Sequence, residues 1–157
     1  MSPRLDFFSN PTGAKVVKHI VSATKAAAES GIDAKVTGLV LLRASQINGC
    51  GVCTDMHTKD ALHDGEDPVR LALVAAWRDA TVFTEAERAA LALTEEGTRI
   101  ADAQTGIDET TWETARKHFD DEQLAGLVAV IALINAFNRL NVLVANPAGS
   151  YQPGQWT

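Results

Sequence analysis

Leu42-Arg43-Ala44-Ser45-Gln46-Ile47-Asn48-Gly49-Cys50-Gly51-Val52-Cys53-Thr54-Asp55-Met56-His57-Thr58-Lys59-Asp60-Ala61 is the stretch from which the rest of the chain is read. Up to Gln46 it has the spacing of an amphipathic helix. Asn48-Gly49 breaks that helix, and a new one is expected from Cys50 to about Leu62. Cys50 then falls where free amide N–H groups and the positive end of the helix dipole gather. Such a position lowers a thiol pKa, as at other Cys-x-x-Cys sites. Residues three and four apart share a helix face, so Cys50, Cys53 and His57 are expected on one stripe.

Working outward, the segment before the break reads as a helix over about 33–46, with Val36, Leu39, Val40 and Ala44 on one side. Asn10-Pro11 reads as an N-cap and first helical residue, opening a helix to about Glu29. Gly31 lies just past its end, where a left-handed cap is easy. The first ten residues form an irregular arm. After His63-Asp64-Gly65, Asp67-Pro68 caps a helix to about Asp79. Thr84-Glu85-Ala86-Glu87 fits a capping box for a helix to about Asp102. A sixth helix is expected over about 108–119. A seventh, very apolar, covers about 121–145 and is stopped by Asn146-Pro147. The tail 149–157 should be irregular. No stretch alternates with period two between hairpin turns, and no repeat or linker is present. The expectation is one all-α domain, residues 1–157, of about seven helices. Apolar residues ring much of the last helix, which demands cover on most sides and favours a homo-oligomer.

The net charge is −6 and no Lys/Arg cluster occurs, so no electrostatic footprint for nucleic acid is present. No run of about 18 uninterrupted apolar residues suggests a membrane span. The start, MSPRLDFFSN, lacks the features of a signal peptide, which makes the cytoplasm the expected location. The chain has two cysteines. In a reducing compartment, a pair closing so small a loop is a weak structural staple and a stronger candidate for metal or redox chemistry.

Three readings of the pair stand open on spacing alone: redox thiols, zinc ligands, or inert buried thiols. Structural zinc normally takes four protein ligands. Cys50, Cys53 and His57 supply three, and His19, His63 and His118 have no spacing that nominates a fourth. A catalytic zinc with an open position stays open as an alternative, but neither a metal nor an organic cofactor is expected. In the redox reading the two sulfurs form a disulfide within the first turn, and His57 accepts the proton of Cys53 or stabilises its thiolate. Trp77 reads as a core anchor. Asp55 and Asp60 flank the stripe, with Asp60 either orienting His57 or solvated. Asn135, Asn138, Arg139 and Asn141 are unusually polar for an apolar helix, which suits buried-backbone, interface or pocket roles.

The segment from Leu42 to Ala61 resembles the core motif of the alkylhydroperoxidase D-like proteins of the carboxymuconolactone decarboxylase superfamily. Ala76-Trp77-Arg78-Asp79-Ala80, the run from Phe83 to Ala92, Asn135 to Asn141 and Pro147 to Pro153 resemble that family too. The resemblance implies an all-helical fold assembling into homo-oligomers, with hydroperoxide reduction through the cysteine pair. It implies that Cys53 attacks the peroxide, that Cys50 resolves the product, and that His57 serves the proton relay. Small organic hydroperoxides are the implied substrates, and a thioredoxin-like or lipoylated dithiol protein the implied electron donor. Decarboxylases of the wider superfamily generally lack the pair, so its presence favours the redox branch.

One position departs from the pattern. The family usually carries a glutamate twelve residues before the first cysteine, where this chain has Gly38, in Gly38-Leu39-Val40-Leu41-Leu42-Arg43. Glycine moves no proton, so weak peroxidase activity is expected. Two other functions compete: a non-catalytic helical oligomer that senses redox state or binds a small molecule, and a lactone decarboxylase.

Overall fold

The computed structural model describes residues 2–103 and 106–155. Trp156 and Thr157, the end of the expected irregular tail, and Met1 of the arm lie outside the described residues. Among the described residues seven α-helices follow one another: α1 Pro11–Ala28, α2 Ala34–Ile47, α3 Gly51–His63, α4 Pro68–Leu73, α5 Glu85–Thr98, α6 Glu109–Arg116 and α7 Asp121–Leu143. No strand occurs among the described residues.

Most helices start where the sequence places a side-chain acceptor. Asn10 accepts from the Thr12 and Gly13 amides ahead of Pro11. Asp33, Asp67 and Asp108 cap α2, α4 and α6 in the same way. Thr84 with Glu87 and Asp120 with Gln123 form reciprocal capping boxes on α5 and α7. Each satisfies amides that no intrahelical carbonyl reaches.

Three elements stop earlier than the periodicity suggests. α5 ends at Thr98 rather than near Asp102, and α6 at Arg116 rather than Phe119. The expected helix to Asp79 is α4 followed by a 3₁₀ segment, Val74–Asp79, with Ala76 out of helical geometry at φ −119°, ψ 28°.

Helix α2 is the hub. It packs on α5, α3 and α7. Val36 and Val40 enter one core with Ala90, Leu93, Leu127 and Ile131. Leu39 and Leu42 enter a second with Leu71, Val74, Trp77, Phe83 and Leu91. The one-residue and two-residue offsets between these pairs turn the side chains to two flanks of the same helix. α1 lies along α7, where a Cβ on Gly126 would collide with Ser30.

Helix α7 is long and apolar enough, by length and composition, to cross a membrane. Within the fold it buries one side, through Leu124, Leu127, Val130, Ile131 and Ile134, and carries Asn135, Asn138 and Asn141 on that buried side. Val128, Val142 and Leu143 stand exposed on the chain taken alone.

Candidate active site

The break between α2 and α3 sets the site. Asn48 ends α2, and Gly49 takes φ +64°, a left-handed turn that glycine adopts without a Cβ clash. Cys50 follows as the N-cap of α3. Its amide donates to the Ser45 carbonyl, and its Sγ accepts from the Cys53 amide at 3.3 Å. Cys50 and Cys53 are joined in a disulfide, Cα to Cα 5.3 Å, with 1% and 2% of their surface exposed. A cleft of about 160 Å³ runs beside them, lined by Cys50, Gly51, Val52, Asn141, Ala145 and Asn146 among others, and it reaches Cys50 but not Cys53.

A polar network on α7 holds this break in place. The Asn48 amide donates to the Asn135 and Asn138 side-chain oxygens, both at 2.9 Å. Asn138 donates onward to the Ser45 hydroxyl, Asn135 to the Thr98 hydroxyl, and Arg139 back to Asn135. Asn141 donates to Cys53 Sγ at 3.6 Å and to the Phe137 carbonyl at 3.0 Å, while its oxygen accepts from Asn146 at 2.9 Å. The polar residues of this apolar helix thus satisfy buried groups and reach the disulfide. In the sequence Asn135, Asn138, Arg139 and Asn141 stand out as polar residues on an apolar helix, whereas Asn48 and Asn146 read only as helix breakers.

His57 lies one turn beyond Cys53 on α3. Its Nε2 is sealed from solvent and has no hydrogen-bond partner, so it bonds to neither sulfur in this oxidised state. Burial pushes its pKa down to about 4, which leaves the imidazole neutral near pH 7. A neutral imidazole is the form that accepts a proton.

Asp60 is bound elsewhere: it accepts the Tyr151 hydroxyl at 2.7 Å, and no hydrogen bond joins it to His57. Asp55 pairs with Lys59 at 2.8 Å and accepts the Gly149 amide. Lys59 also donates to the carbonyls of Gly149 and Tyr151. Burial raises the Asp55 carboxyl, but Lys59 and the Gly149 amide outweigh it, and the group ends below its ordinary range. The flanking carboxylates therefore strap the C-terminal tail over α3. Ala148 of that strap lies 3.4 Å from where a Cβ on Gly51 would stand.

Trp77 is a core anchor, as its spacing suggested, and it carries a polar partner. Its indole Nε1 donates to Glu95 at 3.0 Å. Glu95 also takes Arg43 at 2.8 Å, Arg78 at 2.9 Å and Arg99 at 3.5 Å. Nothing local distinguishes Glu95, because Arg43, Trp77 and Arg78 lie on two other segments and only Arg99 is on its own helix end. His19, His63 and His118 are exposed. No group of three or more metal-binding side chains occurs among the described residues.

At Gly38 a Cβ would meet nothing within 4 Å. The position at which the family pattern expects a glutamate is open space on α2.

The sequence pattern of the carboxymuconolactone decarboxylase family matches residues 14–96, just over half of the chain. The chain belongs to this family. Within it the chain is alkylhydroperoxidase D-like. The Agrobacterium tumefaciens protein ATU0492, a protein of unknown function associated by name with the antioxidant defence protein AhpD, superposes with a TM-score of 0.86. The two share 33% identity, covering 96% of this chain and 100% of that one. The Bacillus subtilis (strain 168) protein named "Uncharacterized protein YdfG" is 34% identical over 151 residues, 96% of this chain and 99% of its own length. The debrominase Bmp8 shares the fold, with a TM-score of 0.77 at 19% identity, over 92% of this chain and 75% of that one.

Proposed function

We propose that this family member is a thiol-dependent peroxidase that reduces small organic hydroperoxides through Cys50 and Cys53. The observation that carries the reading is the disulfide itself: two sulfurs paired at the N-terminus of α3, beside a cleft, with a neutral imidazole one turn away. Fold alone does not choose the reaction, since a debrominase has the same architecture. The paired thiols support peroxide reduction.

In the reduced protein, His57 takes the Cys53 proton. The Cys53 thiolate attacks the terminal oxygen of ROOH, the O–O bond breaks, and the leaving RO⁻ takes the proton held by His57 to become ROH. Cys53 is then a sulfenic acid. The Cys50 thiol condenses with it, forming the disulfide and releasing water. Two electrons and two protons from an external dithiol restore both thiols by exchange. The cleft supports Cys50 as the sulfur that this donor attacks, because it reaches Cys50 and leaves Cys53 behind. A thioredoxin-like or lipoylated protein suits the donor role. The exposed Val128, Val142 and Leu143 of α7 support a homo-oligomer.

Titration of free thiols before and after mild peroxide tests the reading. Two thiols lost per chain and restored by a dithiol is the expected result. No loss from folded, reduced protein would sink it.

One observation favours a second reading. The open space at Gly38 removes a relay carboxylate, which suits a redox-sensing or ligand-binding oligomer whose disulfide forms slowly and without turnover. Steady-state peroxide assays beside size-exclusion of reduced and oxidised samples separate the two.

A further inference from the structure

A thiolate at Cys53 carries a full charge in a buried setting, and few groups stand ready to meet it. Cys50, not Cys53, sits at the N-cap and receives an α3 amide. The dipole of α3 therefore serves Cys50 first. His57 is neutral and supplies no cation in the oxidised state. What does reach Cys53 is the Asn141 side chain, 8% exposed, with Nδ2 at 3.6 Å from Sγ.

The orientation of that amide is fixed by its surroundings. The same Nδ2 lies 3.0 Å from the Phe137 carbonyl, which only accepts, so the nitrogen must stand on that side. Asn146 Nδ2 donates to the Asn141 oxygen at 2.9 Å, which pins the other end. A flipped amide would lose both bonds. The second N–H of Asn141 is thereby directed at the Cys53 sulfur. A disulfide sulfur is a weak acceptor, but a thiolate at the same point carries a full charge and makes a charge-assisted bond.

We propose that Asn141 stabilises the Cys53 thiolate by a side-chain N–H···S bond, with Asn146 as the positioning residue that holds the amide in that orientation. The inference deepens the peroxidase reading and rests on Cys53 as the ionising sulfur. When the external dithiol opens the disulfide at Cys50, the electron pair of the S–S bond leaves on Cys53. Asn141 then meets the departing charge, and it meets the same charge again when the thiolate attacks peroxide.

The charged groups on the helices packed around Cys53 are committed to other partners. On α3, Asp55 is held by Lys59 and the Gly149 amide, and Asp60 by Tyr151. On α7, Arg139 turns to Asn135. On α2, Arg43 is engaged by Glu95. His57 faces the same stripe and remains in every variant below.

The test uses the Cys50→Ser protein, in which Cys53 is the one thiol and serine keeps a favoured N-cap. The Cys53 pKa is read from thiolate ultraviolet absorbance against pH, and independently from the pH dependence of alkylation. Adding Asn141→Ala is expected to raise it by about one unit or more, the worth of a hydrogen bond to a charged group. Asn141→Asp, equal in shape but facing the sulfur with a carboxylate, should raise it further. Asn146→Ala should raise it by less than Asn141→Ala. A purely structural asparagine would lower the melting temperature and leave the pKa where it was. An unchanged pKa in either folded Asn141 variant overturns the proposal. If neither Asn141 variant folds, Asn146→Ala decides alone: a raised pKa supports the proposal and an unchanged one overturns it. Absence of peroxide turnover alongside an Asn141-dependent pKa would sink the peroxidase reading and leave this one standing.

Discussion

Tyr151 donates its hydroxyl to Asp60 at 2.7 Å, and so ties the C-terminal tail to the helix that carries both cysteines. Burial and the Asp60 charge together hold the phenol above its ordinary pKa, so the hydroxyl remains a donor well above neutrality. Tyr151→Phe keeps the ring and removes the bond. The expected loss is about 1 kcal/mol of stability, with faster proteolysis of the tail after about Pro147. Limited proteolysis of parent and variant under native conditions checks it, and equal cleavage rates would count against the strap.

Glu95 gathers Arg43, Trp77, Arg78 and Arg99 onto one carboxylate. Burial pushes this carboxyl up, but the Trp77, Arg43 and Arg78 bonds outweigh it and leave it below its ordinary range. Glu95→Gln keeps the shape and removes the charge, leaving the largely buried Arg43 guanidinium uncompensated. We expect a loss of about 2–4 kcal/mol, read as a lower denaturant midpoint at unchanged slope. A midpoint within error of the parent would refute the network's role.

His57 gives a pH signature of defined sign. Its pKa falls from 6.5 to about 4 on folding, so between those values the unfolded chain binds a proton that the folded chain refuses. Stability therefore falls as pH drops through that window. The residue as a whole is only partly buried, although its Nε2 is sealed, so the full shift is discounted to about 2 kcal/mol. The depressed carboxylates Asp55, Glu87 and Glu95 begin to contribute only below their unfolded values of 3.8 to 4.5. A stability profile between pH 6.5 and 4.5 should decline in the parent. In His57→Gln that decline should be shallower, and parallel profiles would remove the assignment.

Much of the architecture is legible because its signals are local. Asn10-Pro11, Asp67-Pro68, Thr84 with Glu87, and Asn48-Gly49 each act within a few residues of themselves, and each lies at an element boundary. The switch from α4 to a 3₁₀ segment was not legible. Leu71, Val74 and Arg78 continue a helical spacing, while Trp77 answers to Glu95, 18 residues away. The candidate site divides in the same way. Cys50, Cys53 and His57 could be read from one helix. Asn141 was visible as a polar residue on an apolar helix, but its partner sulfur lies 88 residues earlier in the chain. Asn146 looked like a helix stop, and only the fold makes it the support of Asn141.

Gly38 separates two consequences at one position. It lies inside α2 with nothing within 4 Å of an added Cβ, so Gly38→Ala should stabilise by about 1 kcal/mol through helix propensity. Gly38→Glu restores the carboxylate of the family pattern and should raise peroxide turnover, by up to about 10²-fold if it joins the relay. A folded Gly38→Glu protein no faster than the parent would show that the relay does not pass through this position.

Peroxide-dependent consumption of a dithiol, compared between the parent and Cys53→Ser, tests the central claim most directly. The parent should consume one dithiol per hydroperoxide, and the serine variant should fall to the uncatalysed background. Equal rates in the two proteins, or no turnover in a parent whose two thiols are reduced and titratable, would contradict it.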